Sequence, residues 1–211
     1  MSLFLKATKS GWYPEFLKPV VEEITTNAAY KKILDIGTGP GTLPKLLIQR
    51  NHTLQITGID INKAMIDKSI RGISHKNVAF KHQQINAPLE FSDEEFDAVT
   101  ICSVLFFLDN NMRSNLMSES LRVLKPNGTL IILTPSGCKS ILSSILEVWK
   151  YRFSINNFTF IVWKIFTTTN ARKWKRQRWL ENYASENKLN YKWSLCFNNN
   201  ASLEIISQTT K

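Results

Sequence analysis

The sequence predicts an α/β fold in which a mostly parallel sheet is covered by helices on both faces and closed by an antiparallel pair. Three observations carry this. Apolar runs alternate with helical patterns between residues 32 and 134, as in a parallel sheet with helical crossovers. The first run, "KILDI", leads straight into a loop with glycine at 37, 39 and 41. Near the C-terminus, two β-type segments meet through Asn198-Asn199-Asn200, a composition suited to a hairpin turn.

Taken in order, residues 14–29 space Phe16, Leu17, Val20, Val21 and Ile24 at helical intervals, with Pro14 suited to a helix start. Lys32–Ile36 is the first strand, and Thr42–Asn51 the helix after the glycine loop. Gln55–Asp60 is a strand, Asn62–Ile73 a helix and Val78–His82 a third strand. Phe96–Ser103, Met112–Leu124 and Thr129–Thr134 follow as strand, helix and strand. "LKPNG", residues 124–128, reads as the turn bounding the last of these, with proline early and glycine at a later strained position. Residues 140–190 read as helical, and Tyr191–Phe197 with Leu203–Ser207 as the closing hairpin.

Composition narrows the function classes. The 211 residues, 43% of them hydrophobic, suit one domain with a sizeable core. Its expected parts are an N-terminal helical cover over 1–30, a cofactor-binding core over 31–137, a helical lid over 138–190 and the hairpin over 191–211. No signal-like N-terminus and no uncharged apolar run of membrane-spanning length is found, so a soluble cytoplasmic protein is expected. Cys102, Cys138 and Cys196 are far apart and read as buried apolar fillers; His52, His75 and His82 are equally scattered, and no metal site is expected. Charge is uneven: residues 1–137 carry 15 Lys/Arg against 13 Asp/Glu, but residues 138–211 carry 12 against 4. A basic C-terminal third fits an anionic partner or a solvated face.

The glycine loop sets the ligand. Glycines let the backbone turn out of the strand and let a ligand approach with no Cβ in the way, at the carboxyl ends of the strands where open parallel sheets bind ligands. The dinucleotide fingerprint requires glycine at 42, where threonine stands, and Asp35 would repel an approaching pyrophosphate. Asp60, at the end of the second strand, suits the two hydroxyls of a ribose. A ribose without a diphosphate is the expectation.

"ILDIGTGPGT", "ITGIDINKAMI", "EFSDEEFDAVTICSVLFFLDN" and "LRVLKPNGTLIIL" resemble, in order and spacing, the motifs of class I S-adenosylmethionine-dependent methyltransferases, in the branch of the ubiquinone and menaquinone biosynthesis enzymes. The resemblance covers roughly residues 30–135. It implies a Rossmann-like seven-stranded sheet of order 3-2-1-4-5-7-6 with strand seven antiparallel, S-adenosyl-L-methionine as cofactor and S-adenosyl-L-homocysteine as product. By position, the turn from Asp35 through Gly37, Thr38, Gly39 and Gly41 would hold the methionine part, and Asp60 the ribose. Ile61 and Met65 would pack on the adenine, Asn86 (or its neighbour Ile85) and Ala87 would stand near the adenine amine, and Cys102 and Ser103 would border the methyl group.

Two departures bear on chemistry. The acid usual near the adenine amine is absent, and Asn86 is its substitute, since an amide oxygen accepts from an amine. Relatives often carry histidine where Phe106 or Phe107 stands, so an imidazole base is missing; these rings are either core of the strand-to-helix junction or one wall of an apolar substrate pocket. Methyl transfer is an in-line displacement in which the protein chiefly orients the reactants, so no catalytic residue is assigned. Tyr13 is the one residue singled out as a base, against a packing role for "GWY"; His82 lies nearer the adenine than the methyl group.

The segment after residue 138 governs the acceptor. Large apolar residues run from Ile141 to Phe166, and "ARKWKRQRW" follows at 171–179. It reads as a lid over a hydrophobic pocket, as a lid resting on a membrane surface, or as an RNA contact. As a lid helix it would turn Trp174 or Trp179 inward over the pocket, and a spacing of five would keep the two rings off one stripe. The leading function is methyl transfer to a small, apolar, lipid- or quinone-like molecule. The alternatives are an RNA or protein methyltransferase and a non-catalytic binder of S-adenosylmethionine or a nicotinamide nucleotide.

Overall fold

The computed structural model describes residues 3–85, 87–138, 147 and 155–208. Seven strands form one sheet of order β3-β2-β1-β4-β5-β7-β6: β1 Lys32–Ile36, β2 Gln55–Asp60, β3 Val78–His82, β4 Phe96–Cys102, β5 Leu124–Pro135, β6 Leu189–Cys196 and β7 Ala201–Gln208. The first five are mutually parallel, and β7 runs antiparallel to both β5 and β6. This is the predicted order, and the hairpin supplies the antiparallel edge.

Strand register sorts the core onto two faces, since successive side chains of a strand point opposite ways. Ile33, Ile56, Ile131 and Leu133 join α2 (Trp12–Thr26) and α3 (Thr42–Arg50) in one cluster. Leu34, Ile59, Leu130 and Ile132 join α5 (Asn110–Val123) in the other. The helix α4 (Lys63–Gly72) starts at Asn62, whose side chain accepts from the Ala64 and Met65 N–H groups, and α5 starts at Asp109, which accepts from Met112 N–H. Both are caps of the expected kind. Pro14 lies in the first turn of α2, where its missing N–H costs nothing.

Three expectations are corrected. The "LKPNG" segment does not bound β5 but lies within it: pairing passes from Phe96↔Leu124 to Ala98↔Thr129 with a shift of register. Gly128 does not have positive φ; a Cβ there would meet the Leu124 side chain at 2.8 Å and the Asp97 carbonyl oxygen at 3.1 Å, so close approach accounts for it. Cys138 is exposed, with Cys102 and Cys196 half-buried. The helical region described after residue 138 is broken: α6 (Thr159–Gln177) and α7 (Trp179–Glu186) meet at Arg178, whose φ of 45° ends the first helix.

A short α1 (Leu3–Ala7), absent from the sequence reading, packs on α6. The same cover is fastened by Trp12, fully buried, whose Nε1 donates to Thr159 Oγ1 at 3.0 Å, and by Gly11 N–H, which donates to Asn157 Oδ1 at 3.0 Å. Trp12, Phe16, Phe160, Trp163 and Phe197 form one aromatic cluster. Lys164, 2% exposed, donates to Asn200 Oδ1 at 3.0 Å, and Asn200 donates to Glu147 Oε2 at 2.6 Å. A buried ammonium needs such partners, and they tie α6 to the β6–β7 turn. The part of the apolar run from Ile141 to Phe153 lies outside the described residues except for Glu147.

Candidate functional site

A cleft of about 870 Å³ opens at the carboxyl ends of β1, β2 and β4, the place where an open parallel sheet presents its loops. Its volume falls within the range of small-molecule sites, roughly 300 to 1,000 Å³. Asp35, Gly37, Thr38, Gly39, Asp60, Ile61, Met65, Ala87, Cys102 and Ser103 all line it, so ten positions implied by the resemblance share one space. Asn86 lies outside the described residues.

Gly41 is absent from the lining. With φ of +80°, its added Cβ would meet Ile73 at 2.7 Å and Phe80 at 2.9 Å. It is glycine because α3 seats against α4 and β3 there. Gly37 differs: its φ is +75° and a Cβ would lie 2.4 Å from Val104 Cγ2, beside the cleft. Gly37 and Thr38 donate their N–H groups to the Ile59 carbonyl at 2.8 and 3.0 Å, holding the loop against β2. The Asp60 carboxylate completes the turn, Oδ2 accepting from Gly39 N–H and Oδ1 from Asn62 N–H, each at 2.8 Å. An ionised carboxylate has about four acceptor sites, so capacity remains for hydroxyl donors from the cleft.

Asp35 is 2% exposed and accepts from the Thr100 hydroxyl at 2.8 Å. Burial raises its carboxyl from 3.8 to about 6, and the Asp60 charge adds to the rise while the Thr100 hydroxyl bond opposes it. Thr100 was not found in the sequence; its register opposite Asp35 on β1 is the signal, and only the sheet order exposes it. Ser103 closes β4 with φ of 58°, a strained value for a residue with a Cβ, and its buried Oγ has no hydrogen-bond partner among the described residues. Thr38 Oγ1 is likewise unpartnered. Two unsatisfied hydroxyls and two carboxylates in one cleft are groups that a polar ligand would satisfy. Burial first and Asp35 second hold Cys102 toward its thiol form, which disfavours the thiolate a nucleophile needs.

The other half of the cleft is apolar. Phe106 is 5% exposed and Phe107 60%, their rings 4.1 Å apart, and both line it. Phe106 is therefore core and wall at once, and Phe107 is wall. Phe4, Trp163 and Phe166 extend the same surface. Tyr13 lines the cleft too, stacked on Phe16 at 5.9 Å. Burial, with Cys102 and Asp35 adding to it, raises its phenol well above the ordinary range, which suits a packing role. His82 faces away from the lining, its Nε2 set 3.0 Å from the Ile61 carbonyl.

The tryptophans of the basic segment do not line this cleft, which corrects the expectation of a lid that turns them over the pocket. Trp174 and Trp179 stack with centroids 6.1 Å apart, because the chain turns at Arg178 between them. The Arg113 guanidinium lies 4.8 Å from the Trp174 ring, and both rings line a separate cavity of about 360 Å³ with Tyr191, Trp193 and Glu204.

A family model described as a methyltransferase domain matches residues 33–128. The chain is 30% identical over 148 residues to the ubiquinone/menaquinone biosynthesis C-methyltransferase UbiE of Geotalea daltonii, covering 68% of this chain and 60% of that protein. To the demethylmenaquinone methyltransferase of Thermotoga maritima it is 31% identical over 137 residues, covering 61% and 57%. The chain thus spans less than two thirds of the length of these curated relatives. A crystal structure described as a putative S-adenosylmethionine-dependent methyltransferase from Methanococcus maripaludis superimposes with a TM-score of 0.69 at 18% identity, over 95% of this chain and 88% of that one. That likeness is one of fold.

Proposed function

We propose, for a chain whose residues 33–128 match the methyltransferase domain family on the class I fold, that it is an S-adenosylmethionine-dependent methyltransferase acting on a small, apolar, lipid- or quinone-like acceptor. The observation that carries this is one cleft whose lining joins the carboxylates Asp35 and Asp60 to the aromatic side chains of Phe107, Trp163 and Phe166. The names of the curated relatives, which act on quinone precursors by those names, support the acceptor class.

The residues present fit this cofactor. Two carboxylates favour a cation and disfavour a pyrophosphate, Gly37 keeps the turn close against Val104 at the cleft wall, and the Ser103 and Thr38 hydroxyls have no hydrogen-bond partner among the described residues. The cofactor supplies a methyl group on a positively charged sulfur, which passes in line to the acceptor atom and leaves S-adenosylhomocysteine. In this reading Asp35 with Gly37, Thr38 and Gly39 holds the methionine part, and Asp60 the ribose hydroxyls. Ile61, Met65 and Ala87 surround the adenine, while Cys102 and Ser103 border the methyl. The aromatic half orients the acceptor and excludes water, and orientation of this kind is worth ~7 to 11 kcal/mol in well-placed systems.

Calorimetric titration with S-adenosylmethionine and with NAD, followed by incubation of quinone, lipid and RNA fractions with a labelled methyl donor, tests it. Binding of S-adenosylmethionine alone and label in the quinone or lipid fraction is expected. Comparable NAD binding, or label only in RNA, overturns it.

A further inference from the structure

The mouth of the cleft carries large apolar side chains that are exposed. Phe107 is 60% exposed and Phe166 68%, and Leu3 and Phe4, each 41% exposed, line the same opening. Scattered exposed apolar residues are ordinary, but these converge, because α1 and the turn at Leu105–Phe107 both pack on α6. Ile165 at 52% and Phe158 at 61% continue the surface beyond the opening.

Along α6 the outward positions recur at helical spacing: Ile165 and Phe166, then Thr169 and Asn170, then Arg172, Lys173 and Arg176, all exposed. The opposite side, with Phe160, Lys164, Thr167, Ala171 and Trp174, is buried. The outer face therefore passes from apolar to cationic along one helix that contains no Asp or Glu. Among the described residues neither Lys173 nor Arg176 meets a carboxylate.

We infer that this face docks on an anionic lipid bilayer, its apolar rim entering the acyl boundary while Lys173 and Arg176 meet headgroup phosphates. The inference builds on the apolar acceptor proposed above, since a cleft that opens against the bilayer receives a lipid-soluble molecule without passage through water. No helix among the described residues is long and apolar enough to cross a membrane, so the contact is peripheral. RNA is the weaker occupant: one exposed ring, Trp193, stands beside Lys175, but Trp174 is only 5% exposed, and RNA held on the cations would leave the apolar end at Phe158, Ile165 and Phe166 in water. A second copy is weaker too, since a self-complementary contact would face like charges.

Flotation of the full chain with phosphatidylcholine vesicles and with mixed phosphatidylcholine/phosphatidylglycerol vesicles, at low and physiological salt, tests this. The chain is expected on the mixed vesicles, less so as salt rises. Lys173→Gln with Arg176→Gln should lower partitioning roughly thirtyfold, and Phe158→Ser with Ile165→Ser by roughly tenfold. Both pairs lie outside the cleft lining and should keep calorimetric affinity for S-adenosylmethionine. Absence of vesicle binding by a chain that binds the cofactor overturns the docking surface and leaves the methyltransferase reading standing. Equal binding to both vesicle types by all variants overturns it too, as does capture of RNA in place of vesicles. Vesicle binding without cofactor binding is the separate failure of the enzyme reading.

Discussion

The Gly39 N–H donates to Asp60 Oδ2 at 2.8 Å, so the carboxylate proposed to bind ribose also fixes the loop proposed to hold the methionine part. Asp60→Ala should accordingly weaken S-adenosylmethionine binding by roughly tenfold to a hundredfold, at ~1.5 to 3 kcal/mol per hydrogen bond to a charged group. Asp60→Asn, which keeps an acceptor, should lose less. Calorimetry checks both, and an unchanged dissociation constant for the alanine variant would move the ribose elsewhere.

Gly37 and Gly41 differ in what lies beside them. Gly37→Val is expected to lower both folding stability and cofactor binding, because its side chain would take a positive φ and displace Val104 at the cleft wall. Gly41→Ala faces Ile73 and Phe80 instead; it should lower folding stability by about 1 to 3 kcal/mol while the remaining folded protein binds normally. Denaturant unfolding beside calorimetry distinguishes them, and weakened binding at full stability for Gly41→Ala would contradict the assignment.

Asp35 gives a pH dependence of defined sign. Its carboxyl is raised by burial from 3.8 to about 6, so the folded state holds a proton that the unfolded chain has released between those values. Stability from this group is present below pH 4 and lost as pH rises through about 6, by about 3 kcal/mol. Asp35→Asn should flatten that part of the melting-temperature profile. A bound sulfonium favours the ionised carboxylate, so cofactor affinity in the wild type should rise across the same range. Titrations in buffers of different ionisation enthalpy should register proton release, and none being released would exclude Asp35 as the sulfonium's neighbour.

Tyr13→Phe should retain turnover within a few-fold. The phenol is held protonated by burial, and its ring contacts with Phe4, Trp12 and Phe16 survive loss of the hydroxyl. A fall of a hundredfold or more in kcat, the scale of general-base catalysis, would assign it the base role.

The parallel part of the sheet was legible: β1, buried on both faces, and β2 and β3, more exposed toward the edge, all have the bounds the sequence predicts. The carboxylates and glycines of the cleft were legible for a related reason, since each sits at a fixed offset from such a strand. Thr100 was not, because its partner Asp35 lies 65 residues away and only register brings them together. Gly41 followed the loop pattern yet serves packing against Ile73 and Phe80, contacts no local pattern contains. The Trp174–Trp179 stack depends on Arg178 taking a positive φ without glycine or asparagine, which nothing in "KRQRW" announces.

The sheet order also sets a timetable for synthesis. β7 lies between β5 and β6, yet it is the last of the seven strands to be made, so the edge of β5 from Thr129 to Pro135 waits for residues 201–207. Until they arrive, a nascent chain carries an apolar, unpaired strand of the kind that other chains can join. Removal of β7 would leave that edge open permanently and turn a parallel core into an aggregation template, whatever the state of the cleft.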